Sequence, residues 1–290
     1  MVDKKWFKVR TKCPLCNSKR IKILFLKKFN EIKTNLFFSK HLNKNFPMKI
    51  LDGNFYKIAE CQICGIIFQS NILNKKYNEK FYDEYIDHES IMLNKNFYKL
   101  NENFYNKEIK LLDKIYGNKK INILEFGAGM GSWVLAMKNA GYQNISAVEI
   151  SKKRREFLKK KNINCKKSLS DFQNKFDLIY SDQTFEHLAD PGKVIKSLVG
   201  LLNKNGCFFF KVPPGRFFKK KLNESYFAQK DEATPLEHIN VFTKESVQYF
   251  ANKYKLQKVN LFKIYELNSL KYLLSDIYQN LVGKKYLYRK

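Results

Sequence analysis

Apolar positions along this chain fall into two patterns: short continuous runs, and stripes spaced as on a helix. Ile121 to Phe126 is a run with the length of a fully buried strand, and a helix is predicted over Ser132 to Ala140 once three glycines have broken it. A second run, Ile145 to Ile150, predicts another strand. Val194 to Leu202 carries apolar residues at helical spacing, as do Phe97, Leu100 and Phe104 with Ile109 and Leu112. The latter set lies in a stretch over 77–116 rich in Tyr, Phe, Asn and Lys, and predicts helices that pack on a sheet. Nearer the amino terminus, Phe55 to Glu60 and Ile66 to Gln69 have the character of paired strands. Late in the chain, Thr243 is placed to cap a helix, with Ser246 beyond it.

Chemistry enters at the turn after the first of these strands. Gly127, Gly129 and Gly131 stand at every second position, where glycine lets the backbone approach a ligand closely. Glu149 follows the next strand and brings a carboxylate that can accept ribose hydroxyls. This is the logic of nucleoside binding at the first turns of a doubly wound sheet. The spacing G-x-G-x-G differs from the dinucleotide fingerprint G-x-G-x-x-G, and Glu125 just before it would repel a pyrophosphate. A ligand carrying an ammonium or sulfonium group would meet no such repulsion.

Glu125-Phe-Gly-Ala-Gly-Met-Gly resembles the first motif, E/D-x-G-x-G-x-G, of the class I S-adenosylmethionine-dependent methyltransferases. The segment from Lys175-Phe-Asp-Leu-Ile-Tyr through Phe-Glu-His-Leu-Ala-Asp-Pro191 resembles that family's fourth strand and its continuation. Asn203 to Pro214 resembles its next turn and fifth strand. The resemblance implies an α/β fold with a Rossmann-like doubly wound sheet, in keeping with strands that alternate with helices. It also implies S-adenosyl-L-methionine as cofactor, with Glu149 on the adenosyl ribose. The implied cofactor residues are Glu125, Phe126, Gly127, Ala128, Gly129, Gly131, Glu149, Ile150, Asp182 and Gln183.

Four of the six cysteines form two knuckles, Cys13-Pro-Leu-Cys16 and Cys61-Gln-Ile-Cys64, the pattern of a tetrahedral thiolate site for structural Zn2+. Asn17 and Gly65, which follow the knuckles, are residue types that tolerate positive φ. Disulfide exchange is the rival reading, but two separated pairs in a reducing compartment favour metal. Four thiolates leave no coordination position open, so the expected role is architectural. Cys165 and Cys207 sit in or beside predicted strands and read as buried residues. The organisation expected is a zinc-binding module over 1–75, a helical cap or linker over 76–116, and a methyltransferase domain over 117–290.

Composition then narrows the partners. Fifty-five basic residues against 27 acidic ones give a net charge of +28, which invites a nucleic-acid reading. Only six of those cations are arginine, the residue suited to bidentate phosphate recognition, and the lysines are spread along the whole chain. An anionic small molecule, such as a nucleotide-linked sugar, would be drawn to the same surface. No apolar run approaches the ~18 residues of a membrane span and no signal-type segment opens the chain, so the expectation is a cytoplasmic protein.

Catalytic groups are expected after strands four and five. Asp182, Gln183, Glu186 and His187 follow the fourth strand, and Glu237-His238 precede the Thr243-capped helix. With the four-cysteine module, Glu237-His238 resembles the E-H-x-x-x-F-[ST] stretch of deoxysugar C-methyltransferases. That resemblance implies His238 as the base, Glu237 orienting or polarising it, and Tyr82 or Tyr85 assisting, with His187 a further candidate. In the segment 77–116, Tyr82, Tyr85 or His88 is a candidate to point into the substrate cavity, against the plainer reading of helices that cap the cofactor and pack on the sheet. The residues before the stretch, Thr234-Pro-Leu236, depart from that subgroup, so O-, N- and C-methylation all stay open. The expected activity is methylation of a small molecule, a nucleotide-linked or glycan sugar of surface polysaccharide synthesis. The alternative is an RNA methyltransferase that grips its substrate with the zinc module and the lysines. Against it, Ser181-Asp-Gln-Thr stands where base-amine methyltransferases carry N/D-P-P-Y/F.

Overall fold

A computed structural model describes residues 6–42, 45–85, 97–259 and 285–290, with the side chains of 83 and 97–104 left aside; His88 falls outside the described residues. The chain divides into two compact units that interleave along the sequence. The first joins Met1–Glu89 with Phe185–Lys193 and Pro213–Phe250, and the second joins Ser90–Thr184 with Val194–Val212 and Ala251–Lys290. The strands, in chain order, begin with β1 (Phe7–Val9), β2 (Ile21–Lys28), β3 (Phe55–Cys61), β4 (Ile67–Gln69) and β5 (Asn71–Leu73). They continue with β6 (Asn122–Phe126), β7 (Asn144–Val148), β8 (Asn164–Lys166), β9 (Phe176–Asp182) and β10 (Leu202–Lys211). The last three are β11 (Asn240–Val241), β12 (Gln257–Lys258) and β13 (Lys285–Arg289).

The second unit holds a seven-stranded sheet in the order β12-β13-β10-β9-β6-β7-β8. Strands β10, β9, β6, β7 and β8 run parallel, while β13 is antiparallel to both β10 and β12. The winding reverses beside β6, where a doubly wound sheet places its ligands. The apolar runs become strands because both sheet faces are covered. Ile123, Leu124, Ala147, Leu178 and Phe209 are all buried completely. Helix Ser132–Asn139 ends where Tyr142 N–H reaches back to Met137 O, and helix Phe97–Tyr116 buries Ile109 and Leu112 as its spacing predicts. This is the expected Rossmann-like fold.

The first unit carries a four-stranded sheet in the order β11-β4-β3-β2 and the pair β1-β5. Strands β3 and β4 pair, as expected, and run antiparallel, with Ile58 opposite Gln69 and Glu60 opposite Ile67. The core of this unit is aromatic: Phe25, Phe29, Phe38, Phe46, Tyr56, Phe81 and Tyr226 interlock around Ile58 and Leu236. The late segment 213–250 joins the unit through β11, where Asn240 pairs with Phe68 and Val241 with Ile67.

Candidate functional site

The turn after β6 is shaped by main-chain hydrogen bonds. The N–H groups of Gly127 and Ala128 donate to Val148 O at 2.9 and 3.0 Å, and Gly131 N–H donates to Ala128 O at 2.7 Å. All three glycines have positive φ, but their surroundings differ. A Cβ on Gly127 would meet Thr184 Oγ1 at 2.3 Å and one on Gly131 would meet Leu158 at 2.2 Å, whereas one on Gly129 would meet nothing within 4 Å. Two glycines therefore let the turn pack tightly, and the third opens a cradle that a side chain would fill.

Glu149, one residue past β7, borders that opening. Gly129 N–H donates to its Oε2 and Ser151 N–H to its Oε1, each at 2.8 Å. Both bonds fix the carboxylate and leave it lone pairs for two vicinal hydroxyls. Ile150 follows with its side chain 62% exposed, an apolar surface next to the carboxylate. The open glycine and the fixed carboxylate fit the ribose end of an adenosyl cofactor.

Other residues implied for the cofactor build the cradle. Glu125 is buried, and its Oε2 accepts the Val134 N–H at 3.2 Å, an amide of the first helical turn that has no intrahelical partner. Burial, and then the charge of Asp182, push its carboxyl well above the usual carboxylate range. The structure thus gives Glu125 the work of a helix cap, and the pyrophosphate repulsion expected of an ionised carboxylate is weakened accordingly. Phe126 O accepts the Ser181 hydroxyl at 2.9 Å, and Ala128 is buried in the turn. Gln183 has a positive φ of 48°, and its N–H donates to Lys211 O at 3.0 Å.

Asp182 belongs to a buried cluster for which the sequence offers no signal. Lys211 Nζ lies 3.1 Å from Glu108 Oε1 and is also paired with Asp182. The Tyr180 hydroxyl donates to Glu108 Oε2 at 2.9 Å, and Trp133 stacks flat on the Tyr180 ring with centroids 3.8 Å apart. Burial pulls the Lys211 ammonium down, but Glu108 and Asp182 overrule it, and the net shift is upward. Asp182 moves up as well, through burial against the opposing pull of Lys211.

In the first unit the two knuckles meet. The Sγ atoms of Cys13, Cys16, Cys61 and Cys64 lie within 4.8 Å of one another, with Cys13–Cys64 and Cys16–Cys61 both at 3.5 Å. A tetrahedral zinc with Zn–S bonds of about 2.3 Å sets S···S edges of about 3.8 Å. A disulfide would need about 2.05 Å, and none of the six cysteines is in one. Leu15 and Cys16 N–H groups point at Cys13 Sγ and Ile63 N–H at Cys61 Sγ, all at 3.4 Å. Asn17 and Gly65 adopt φ of 64° and 73°, as expected. The donor set fits a closed thiolate metal site. Cys165 and Cys207 are buried in β8 and β10.

The same unit brings His187 and His238 together, with ring centroids 5.0 Å apart. His238 Nδ1 lies 2.7 Å from Asp231 O and His187 Nδ1 lies 2.9 Å from Glu237 O. A carbonyl oxygen only accepts, so each imidazole donates an Nδ1–H to it. The Tyr82 hydroxyl donates to Glu237 O at 3.1 Å and lies 2.8 Å from His187 Nδ1. The buried Glu186 carboxylate closes the group, with one ligand-type atom from each of Glu186, His187 and His238 within 4.8 Å.

Two expectations are corrected here. The partner that orients His238 is the Asp231 carbonyl, while Glu237 serves His187 and Tyr82 through its own main-chain oxygen. Tyr85 is not brought to the pair; its ring is buried edge-on against Phe46 in the aromatic core.

Three polar residues that sequence reasoning passed over hold this group. Gln69 Nε2 donates to Thr234 O and His238 O, both at 2.9 Å, and its Oε1 accepts Leu236 N–H at 3.1 Å. That last bond pins Leu236 at φ 64°, a left-handed conformation costing a leucine about 1–3 kcal/mol unless its surroundings hold it. Asn240 Nδ2 donates to Leu188 O at 2.7 Å and Phe185 O at 3.1 Å. Arg10 Nη1 donates to Asn240 Oδ1 at 2.8 Å, and Arg10 Nε donates to Gln69 O at 2.9 Å. An arginine in a chain that writes nearly every cation as lysine was the available signal.

The sequence model of a methyltransferase-domain family matches residues 99–261. No curated protein matches the chain. Among solved structures, the chain is similar to the plantazolicin methyltransferase BpumL in complex with a monoazolic desmethylPZN analog and SAH. The identity is 13% over 74% of this chain and 93% of that one, with a TM-score of 0.49. It is also similar to a coclaurine N-methyltransferase bound to N-methylheliamine and SAH, at 15% identity over 57% of this chain and 50% of that one, with a TM-score of 0.43.

Proposed function

Because this chain belongs to the methyltransferase-domain family, and is an S-adenosylmethionine-dependent methyltransferase, we propose that it methylates a small molecule, a nucleotide-linked or glycan sugar, with His238 as the base. The observation that carries this reading is the imidazole pair with both Nδ1 atoms on main-chain carbonyls. That arrangement directs each Nδ1–H to a main-chain oxygen and so assigns proton acceptance to Nε2 of His238.

S-adenosylmethionine supplies a methyl group on a positively charged sulfur. Glu149 would accept the ribose hydroxyls, the open side of Gly129 would admit the nucleoside, and Ile150 would offer an apolar face to the base ring. His238 Nε2 would take the proton from the acceptor, and Asp231 O would stabilise the imidazolium through Nδ1. Tyr82 and His187 would position the acceptor. Cys13, Cys16, Cys61 and Cys64 would hold a zinc ion as a closed structural site. The lysine-rich surface suits an acceptor with an anionic end such as a nucleoside diphosphate, which stays attached through the transfer.

Purified protein incubated with methyl-labelled S-adenosylmethionine and a panel of nucleotide sugars tests the reading against bulk RNA in a parallel tube. Label is expected in a sugar nucleotide, and label confined to RNA would overturn the substrate class.

A further inference from the structure

Each metal knuckle touches a different histidine-bearing loop. Gly192, five residues after His187, donates its N–H to Pro14 O in the first knuckle at 3.1 Å. The contact is so close that a Cβ on Gly192 would meet Leu15 O at 2.3 Å. Thr243, five residues after His238, donates its hydroxyl to Gly65 O at the end of the second knuckle at 3.0 Å. A metal that clamps Cys13 and Cys16 to Cys61 and Cys64 therefore also sets how far apart the two loops are held. Between them runs the polar clip already described. Arg10, three residues before Cys13, reaches Asn240, and Asn240 reaches back to the carbonyls of residues 185 and 188 on either side of His187.

We propose that the four-cysteine centre is the positioning device for the His187–His238 pair, acting through the Gly192 and Thr243 contacts and through Arg10 and Asn240. The proposal rests on the reading above that this pair serves catalysis. It assigns Arg10, Gln69 and Asn240 as positioning residues, since they touch the histidine loops and not the reacting atoms. The size of the effect follows from geometry: a displacement of about 1 Å in a catalytic group costs on the order of 10²-fold in rate.

The positioning arm of the test reads the imidazoles directly, and that arm needs no acceptor. The chain has four histidines, at 41, 88, 187 and 238. His41, whose Nδ1 sits on Phe37 O within its own helix, is the internal control. Imidazole nitrogen resonances are recorded for the zinc protein, for protein reloaded with the larger Cd2+, and for Asn240→Ala. Metal content and S-adenosylmethionine affinity are measured on each. The expected result is one metal per chain, cofactor affinity within threefold, an unmoved His41, and shifted His187 and His238 signals in both altered proteins. Unmoved His187 and His238 signals in the Cd2+ protein, which needs no substitution to fold, would overturn the proposal. If the signals shift but His238→Ala keeps its turnover, positioning stands and the assignment of His238 as base falls.

Discussion

The nucleoside cradle and the histidine pair reach rigidity by different routes. The cradle comes largely from one stretch of chain, 125–151, where main-chain N–H groups are held by Val148 O at Gly127 and Ala128 and by the Glu149 carboxylate at Gly129 and Ser151. The histidine pair is assembled from Tyr82, His187, Asp231, Glu237 and His238, and is held by side chains from as far away as Arg10. A binding surface for an invariant cofactor suits a local backbone motif. The proposed base sits where side chains from several loops converge, and it depends on everything that fixes those loops.

The contrast breaks most visibly if the proposed zinc is removed. Structural thiolate zinc is worth about 10–16 kcal/mol of apparent binding energy, which in such modules is folding energy. Exhaustive chelation is expected to unfold the first unit, seen as loss of its aromatic near-ultraviolet signal, while S-adenosylmethionine still binds the second. Freshly purified protein with metal near zero and an unchanged spectrum would remove the zinc assignment.

The next largest effect separates chemistry from binding. His238→Ala is expected to lower turnover by about 10²–10⁴-fold, the usual worth of a general base, with cofactor affinity in calorimetry unchanged. Glu149→Ala should do the reverse at the binding step. Losing charged hydrogen bonds costs about 1–3 kcal/mol, a rise in Kd of roughly 5- to 150-fold. Equal affinity for the variant and the parent would sink the ribose assignment.

How much of this was legible in the sequence follows the same divide. The strands β6 and β7, the glycine turn and Glu149 are local, and apolar runs and glycine spacing announce them. The knuckles were legible because two C-x-x-C pairs carry their own geometry. Glu108, Lys211 and Tyr180 left no trace, because an ion cluster formed by a helix and two strands has no fixed sequence spacing. The interleaving of the units was hidden for a similar reason: segment 213–250 joins the first unit through the two-residue strand β11 and through Gln69, and neither has a periodic signature. Tyr82 and Tyr85 looked alike in the sequence, and only packing against Phe46 told them apart.

The smallest expected effect sharpens the cradle itself, by asking whether Glu125 is a cap or a ligand. Its carboxyl is raised well above the usual range by burial, so the folded state holds that proton more tightly than the unfolded chain does. From the ordinary carboxylate pKa upward to the folded value, the native state therefore binds more protons, and stability falls as pH rises through that window. Glu125→Gln removes the ionisation, and its amide oxygen can still accept the Val134 N–H. The variant and the parent are expected to melt together near pH 4. By pH 8 the variant should melt higher, by about 2–4 °C for each kcal/mol relieved in a chain of this size. A cap predicts that widening gap together with S-adenosylmethionine affinity within about threefold of the parent. Parallel melting curves combined with a large loss of affinity would instead make Glu125 a charged ligand of the cofactor.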